Sequence, residues 1–185
     1  FQKPQERPGA VAISFQEKNR ETCLITTETL DGISLQARQS PRLRKNFNFH
    51  RCDDDICHRL LNAMEPASYI QPHRHLDPSK DETLIVIRGK MGLVLFGNDG
   101  TVDGKALLKP SDPIQLVNIP HGKYHTLVSF EEGSIFFEAK AGPFLPLFPE
   151  EKALWAPAET EEASAHYLAF LKKLFTPGRP ESALR

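Results

Sequence analysis

The chain has 185 residues, enough for one domain with a proper core and short for two. Its 23 Lys and Arg balance 24 Asp and Glu, and the formal net charge of -1 leaves no global field to draw it to nucleic acid or to an anionic membrane. A hydrophobic fraction of 39% and a charged fraction of 25% are ordinary for a soluble globular protein. No apolar run approaches the length of about 18 residues that a spanning helix needs. The N-terminal stretch has no apolar signal core, so a cytoplasmic location is expected. Cys23, Cys52 and Cys57 lack the regular spacing of a disulfide framework; Cys52 and Cys57 read as reduced, buried small hydrophobes.

Residues 1–25 open with a polar, Pro-containing arm, followed by "AVAISF", where Val11, Ile13 and Phe15 alternate as in a short strand. Leu30, Ile33 and Ala37 then recur at helical spacing, and Pro41 closes that segment. "RLLNAMEP" is compatible with helix or strand. "TLIVIRG", "MGLVLFG", "IQLVNIP", "HTLVSF" and "SIFFEAK" are short apolar runs bounded by Gly, Pro and charged turns, with "GNDG" as a hairpin or loop tip. Such spacing predicts a mainly β domain, barrel or sandwich, over 26–176. Prolines 143, 146, 149 and 157 mark an irregular wrap. Ala163, Tyr167, Phe170, Leu171 and Leu174 then predict a C-terminal amphipathic helix, with Lys172 and Lys173 near its end and Pro177 beyond it. Residues 177–185 are expected to be a disordered tail.

The chemistry concentrates in two stretches. In "YIQPHRHLDPSKDE", His73 and His75 are two apart, and in extended chain such residues share a face, so one ion can take a nitrogen from each. Glu82 opens the following apolar run, with Asp77 and Asp81 as alternative carboxylates. In "NIPHGKYHTLV", Pro120 and Gly122 build a turn from which His125 enters a strand. Two or three imidazoles with a carboxylate suit one divalent first-row transition metal: Fe, Mn, Ni or Zn. His121 lies in the turn itself and is read as pointing outward. His50, His58 and His166 have no partner motif and are read as structural.

His73-x-His75 with Glu82 and Gly89, followed by Pro120-x-Gly122-x-x-His125, resembles the two motifs of the cupins, although six residues separate His75 from Glu82. Together with "SPRLRKNFNFH", "RLLNAMEPASYIQPHRH", "FEAKAGPF" and "WAPAE", the pattern is similar to the WbuC family of cupin-fold metalloproteins, over about residues 26–170. The resemblance implies a jelly-roll β-barrel with metal inside and a link to bacterial surface-polysaccharide (O-antigen) synthesis. It implies no settled reaction. Metal-assisted isomerisation or oxygenation of a sugar derivative is one expectation. A non-catalytic saccharide-binding or regulatory module with a structural metal is the other.

Strand parity nominates further residues. Tyr69 and Gln71 share parity with His73 and His75, and Arg88 shares it with Glu82 if that strand is regular. Glu138 and Lys140 alternate onto one face, as do Asn46, Asn48 and His50. Tyr69, Glu138 and Lys140 are candidates for catalysis, and Gln71, Arg88 and Asn48 for contacts to a small-molecule or saccharide ligand. The basic cluster Arg42 to Lys45 reads as a solvated turn that could alternatively hold a phosphate or carboxylate. The unplaced "AVAISF" strand leads to the expectation of a homodimer.

Overall fold

The structure, a computed structural model, describes residues 22–176. The "AVAISF" segment and the C-terminal tail lie outside the described residues. Eight strands form two antiparallel sheets. Taken in chain order they are β1 (Arg44–Asn48), β2 (Cys57–Met64), β3 (Glu82–Arg88), β4 (Met91–Phe96), β5 (Val102–Leu108), β6 (Leu116–Ile119), β7 (Tyr124–Ser129) and β8 (Ser134–Ala141). One sheet runs β1-β2-β8-β3-β6 and the other β5-β4-β7. Among the described residues the ladders stay in these two sheets and do not join into a closed barrel. "RLLNAMEP" falls in β2 and the turn after it.

The core lies between the sheets. Met64, Leu84, Val86 and Phe136 of the larger sheet pack against Met91, Leu93, Leu108 and Leu127 of the smaller one, and Met64 and Met91 are fully buried. Each such side chain contributes roughly 1.5–3 kcal/mol on burial. Helix α1 (Thr27–Gln39) covers the outer face of the larger sheet, where Ile33 and Ala37 meet Leu61, Ala63 and Ile135. Its start is defined by Thr26 and Thr29, whose side chains cap each other's backbone N–H. Helix α2 (Ala163–Lys173) covers the smaller sheet, where Leu168 and Leu171 pack on Val94, Phe96 and Val128. With both faces covered, β2 and β4 read as nearly continuous apolar runs instead of alternating ones.

The inward rows of the strands change character along their length. Met64 of β2 gives way to Asn62, Leu60 and His58. Phe136 of β8 is followed by Glu138 and Lys140, and Leu127 of β7 is preceded by His125. In β3, Glu82 precedes Leu84 and Val86 on the buried face. One end of the sandwich is therefore sealed by hydrocarbon, and the other presents polar and ionisable groups to a cavity of about 820 Å³. The three cysteines are exposed, which corrects the expectation of buried thiols: Cys52 sits in the turn after β1 near Asp55, and Cys57 opens β2 on its outward parity.

Candidate metal centre

The loop between β2 and β3 is held as an extended strap. His73 exchanges both backbone hydrogen bonds with His125, at 3.0 and 2.8 Å, and also bridges Lys152 on its other side. Gly122 N–H donates to His75 O, so the turn before β7 clamps the strap's next residue. Gly122 has φ +76°, a left-handed conformation that glycine adopts without a Cβ penalty. These ladders bring His73 and His125 face to face, with ring centroids 4.7 Å apart.

The Nδ1 of His73 lies 3.1 Å from Gln71 O, and that of His125 lies 2.9 Å from Lys123 O. A carbonyl can only accept, so each Nδ1 carries its proton and each ring turns Nε2 inward. Such backbone contacts fix the tautomer of a metal-binding imidazole. Donor atoms of His73, Glu82 and His125 all fall within 4.8 Å of one another. Glu82 Oε2 is 2.8 Å from His125 Nε2, and Glu82 Oε1 is 3.4 Å from His75 Nε2. An ion bonded at about 2.0–2.2 Å to each donor spaces neighbouring donors by roughly 3.0–3.5 Å. The His125–Glu82 spacing already matches this, whereas His73 would have to close in by part of the 4.8 Å; His75 contacts Glu82 but lies outside the three-residue set.

The electrostatics are those of a buried, tightly compensated cluster. Burial, with His125 close by, pushes the His73 imidazole down to about 3, which keeps it neutral and able to ligate. His125 is shifted the other way: burial opposes its charge, but the hydrogen bond to Glu82 prevails. Both nitrogens of His125 face acceptors, Lys123 O and Glu82 Oε2, which favours the protonated ring. Glu82 is just as buried, yet Lys140 and the bonds from His125 and His75 hold its carboxyl well below the usual range. The Lys140 ammonium is 2.6 Å from Glu82 Oε1, 2.9 Å from Glu138 Oε1 and 3.3 Å from His75 Nε2. It therefore sits beside the His75–Glu82 contact and touches both groups. Burial and the charge of Glu82 raise Glu138 to about 7.

The remaining candidates divide. Asn48 lines the cavity from the edge strand β1. Gln71 lines it too, but its amide donates to Ala153 O and Ala156 O and so secures the wrap. Tyr69 is not in the site. Its hydroxyl donates to Pro157 O and its ring packs in the cluster under α2, because the strap is not a regular strand at that point and parity with His73 fails. Arg88 is not in the site either. A register shift between Val86 and Arg88 reverses the parity of β3, and the guanidinium reaches Asp31 of α1 on the outer face at 2.6 Å. Asp77 accepts from Ser79 and Asp81 from His121, so both alternatives to Glu82 are engaged elsewhere. His121 is turned outward in that pair. His50 and His58 are buried and stacked, with centroids 4.0 Å apart, at the cavity wall. Arg42 and Arg44 share one carboxylate, Glu159, which offsets one of the three positive charges of the basic cluster.

Sequence reasoning missed Asn62, Lys80 and Lys152, all of which line the cavity. Asn62 was legible by parity with His58 once β2 was known to be a strand. Lys152 had no local signal, since only the bridge to His73 brings it there.

Two antiparallel sheets enclosing a His/Glu donor set at the floor of an open cavity define a candidate metal-binding β-sandwich. A family model described as a domain of unknown function, DUF6016, matches residues 25–108, less than half of the chain. A search of curated proteins finds no match. Among solved structures the chain is similar to KdgF from Halomonas sp., at 19% identity and a TM-score of 0.44, over 56% of this chain and 82% of that one. It is similar to a cupin-2 domain containing protein from Shewanella frigidimarina, at 20% identity and a TM-score of 0.40, over 52% and 79%. It is also similar to oxalate decarboxylase from Bacillus subtilis, at 17% identity and a TM-score of 0.43, over 55% of this chain and 26% of that one. Among the described residues, no helix is long and apolar enough to cross a membrane.

Proposed function

We propose that the chain is a metal-binding cupin of the WbuC kind that acts on a sugar derivative in bacterial surface-polysaccharide synthesis, by isomerisation or oxygenation. The single observation that carries the reading is the convergence of His73, Glu82 and His125 within 4.8 Å, with both imidazoles turned Nε2-inward by backbone carbonyls. His75, which contacts Glu82, is the fourth ligand in this reading. When bound, a divalent Fe, Mn, Ni or Zn ion would supply Lewis-acid polarisation of a substrate oxygen. Glu138 can take or return a proton near neutral pH, since its carboxyl titrates at about 7 and lines the same cavity. Lys140 orients Glu138 and Glu82 at once through its two short ion pairs. The stacked His50 and His58 and the amide of Asn48 also line the cavity. A homodimer formed through the N-terminal arm belongs to the same reading.

The alternative, a non-catalytic saccharide-binding or regulatory module with a structural metal, uses the same donor set without a reaction. Elemental analysis of freshly purified protein tests the metal site that both readings share, and an activity screen with sugar nucleotides then separates them. The reading requires about one equivalent of a first-row metal, lost on His125→Ala while far-UV circular dichroism is unchanged. Absence of metal from the wild-type protein, and no uptake of Fe, Mn, Ni or Zn on dialysis, would refute it.

A further inference from the structure

Asn62 lies on the inward row of β2, where the apolar core meets the cavity. Its side chain is nine-tenths buried, and its Oδ1 has no hydrogen-bond donor among the described residues. Leaving a buried amide oxygen without a partner costs about 1–3 kcal/mol, and most buried polar groups in folded proteins are satisfied. An apolar side chain of the same volume would remove that cost, so the position is unfavourable for the fold taken alone. Asn62 lines the cavity, but its Oδ1 is closed to solvent, so a donor from the cavity reaches that oxygen only once the side chain turns toward it.

The surroundings say what kind of donor. Asn46 is the direct cross-strand partner of Asn62, and Asn48 lies two residues further along β1 on the same face. Both line the cavity and both are exposed to it. Three carboxamides on two neighbouring strands offer several acceptors and donors and no charge. That chemistry matches a row of hydroxyl groups, each of which donates one hydrogen bond and accepts others.

The metal end of the cavity has a different chemistry. Lys152 stands opposite His73 in the bridge, and so shares its face. Lys80 is buried, and its ammonium donates to Pro143 O. Both line the cavity, and neither forms an ion pair among the described residues. A buried ammonium with one neutral acceptor is short of a counter-charge.

The register fixes the separation of the two ends. Asn62 pairs with Phe136 of β8, and Thr83, next to Glu82, pairs with Ala139 of the same strand. With about 3.4 Å per residue and about 4.8 Å between strands, Asn62 and Glu82 lie on the order of 16 Å apart in backbone terms. A single sugar ring does not reach from one to the other.

We infer that the cavity takes an acidic saccharide at least two sugar units long, with its hydroxyls on Asn46, Asn48 and Asn62 and its carboxylate or phosphate at the metal end beside Lys80 and Lys152. The acidic end rests on the metal-binding reading; the amide wall does not. Isothermal titration of the metal-loaded full chain tests it with lactobionate, maltose 1-phosphate, lactose and gluconate. Lactobionate or maltose 1-phosphate should bind at least tenfold more tightly than neutral lactose and than gluconate, which is too short. Whichever of the two is tighter identifies the anion as carboxylate or phosphate. Asn62→Leu should weaken the acidic disaccharide about tenfold and leave gluconate within twofold. If Asn62→Leu fails to fold, Asn48→Ala on the exposed edge strand reads the same wall. Acidic disaccharides that bind no better than gluconate or lactose, or that are indifferent to the amide substitution, would overturn the inference. Metal content measured on the same sample keeps the two proposals apart: metal present with no disaccharide preference sinks the subsite, and metal absent sinks the proposed function.

Discussion

Lys140→Met tests the electrostatic reading of the site most directly. The ammonium is the shared counter-charge of Glu82 and Glu138, whose side chains are 4% and 13% exposed. Two unit charges about 3 Å apart attract by roughly 5 kcal/mol at an effective dielectric near 20, and most of that is offset by the desolvation of both partners. Removing one partner does not refund the desolvation of the other. Breaking a buried pair costs about 3–5 kcal/mol, and here two carboxylates lose the same cation. For a domain of this size, 1 kcal/mol moves Tm by about 2–4 °C, so the metal-free variant at pH 8 should melt about 6–20 °C below the wild type. Two treatments should restore part of the loss. Acidification toward pH 5.5 protonates Glu138, whose carboxyl is already raised to about 7 by burial and by Glu82. A divalent metal replaces the missing positive charge and, at a hundred times its Kd, adds about 2.7 kcal/mol by mass action. The metal should bind the variant more tightly than the wild type, by about tenfold, since no ammonium competes for Glu82 Oε1. Thermal melts in chelator, with and without added metal, supply every number. An unchanged Tm in the metal-free variant would refute the counter-charge argument, and so would a metal affinity lowered by the loss of Lys140.

Glu138→Gln isolates the pH term. The folded carboxyl titrates above its unfolded value of 4.5, so the stability it contributes is present at pH 4.5 and lost as pH rises through 7. The wild-type Tm should therefore fall relative to that of the variant between pH 5 and 8, and a constant difference across that range would contradict the assignment. Gly89→Ala probes the turn after β3. Gly89 has φ +77°, and an added Cβ would lie 2.8 Å from Ser134 Cα and collide with that residue's hydroxyl. The loss should be about 1–3 kcal/mol or more, read as a lower urea midpoint with an unchanged slope.

The fold was legible where packing is regular. β3, β4, β7 and β8 announce themselves because they are buried on the inward face and bounded by Gly or charged turns. β5 does not. "VDGKALL" sits on an edge with much of its surface in solvent, so nothing in its composition separates it from a loop. "RLLNAMEP" was ambiguous for the opposite reason: β2 is covered by α1 on one face and by the core on the other, and a run apolar on both sides has no period to read.

Parity succeeds or fails at the site according to backbone regularity. Glu138 and Lys140 follow Phe136 along an unbroken strand, and their direction into the cavity is a consequence of the two-residue repeat. Arg88 obeys the same arithmetic until the register shift after Val86, which turns it toward Asp31 on the outer face. Tyr69 fails because the strap has no ladder until His73 meets His125. The strap is anchored by backbone bonds that no residue type advertises, yet it carries the two histidines and holds Lys152 beside them. This is why the ligand-bearing residues were visible as a motif while the cations around them were not. A motif records what must touch the ion, whereas the cations depend only on which backbones the ladders bring together. The polar gradient along the inward rows belongs to the second kind. It requires no particular residue at any one position, only that each of four strands trade apolar for polar side chains toward the same end. Substituting a single row, such as Asn62, should therefore alter what the cavity binds without disturbing the donor set at its floor.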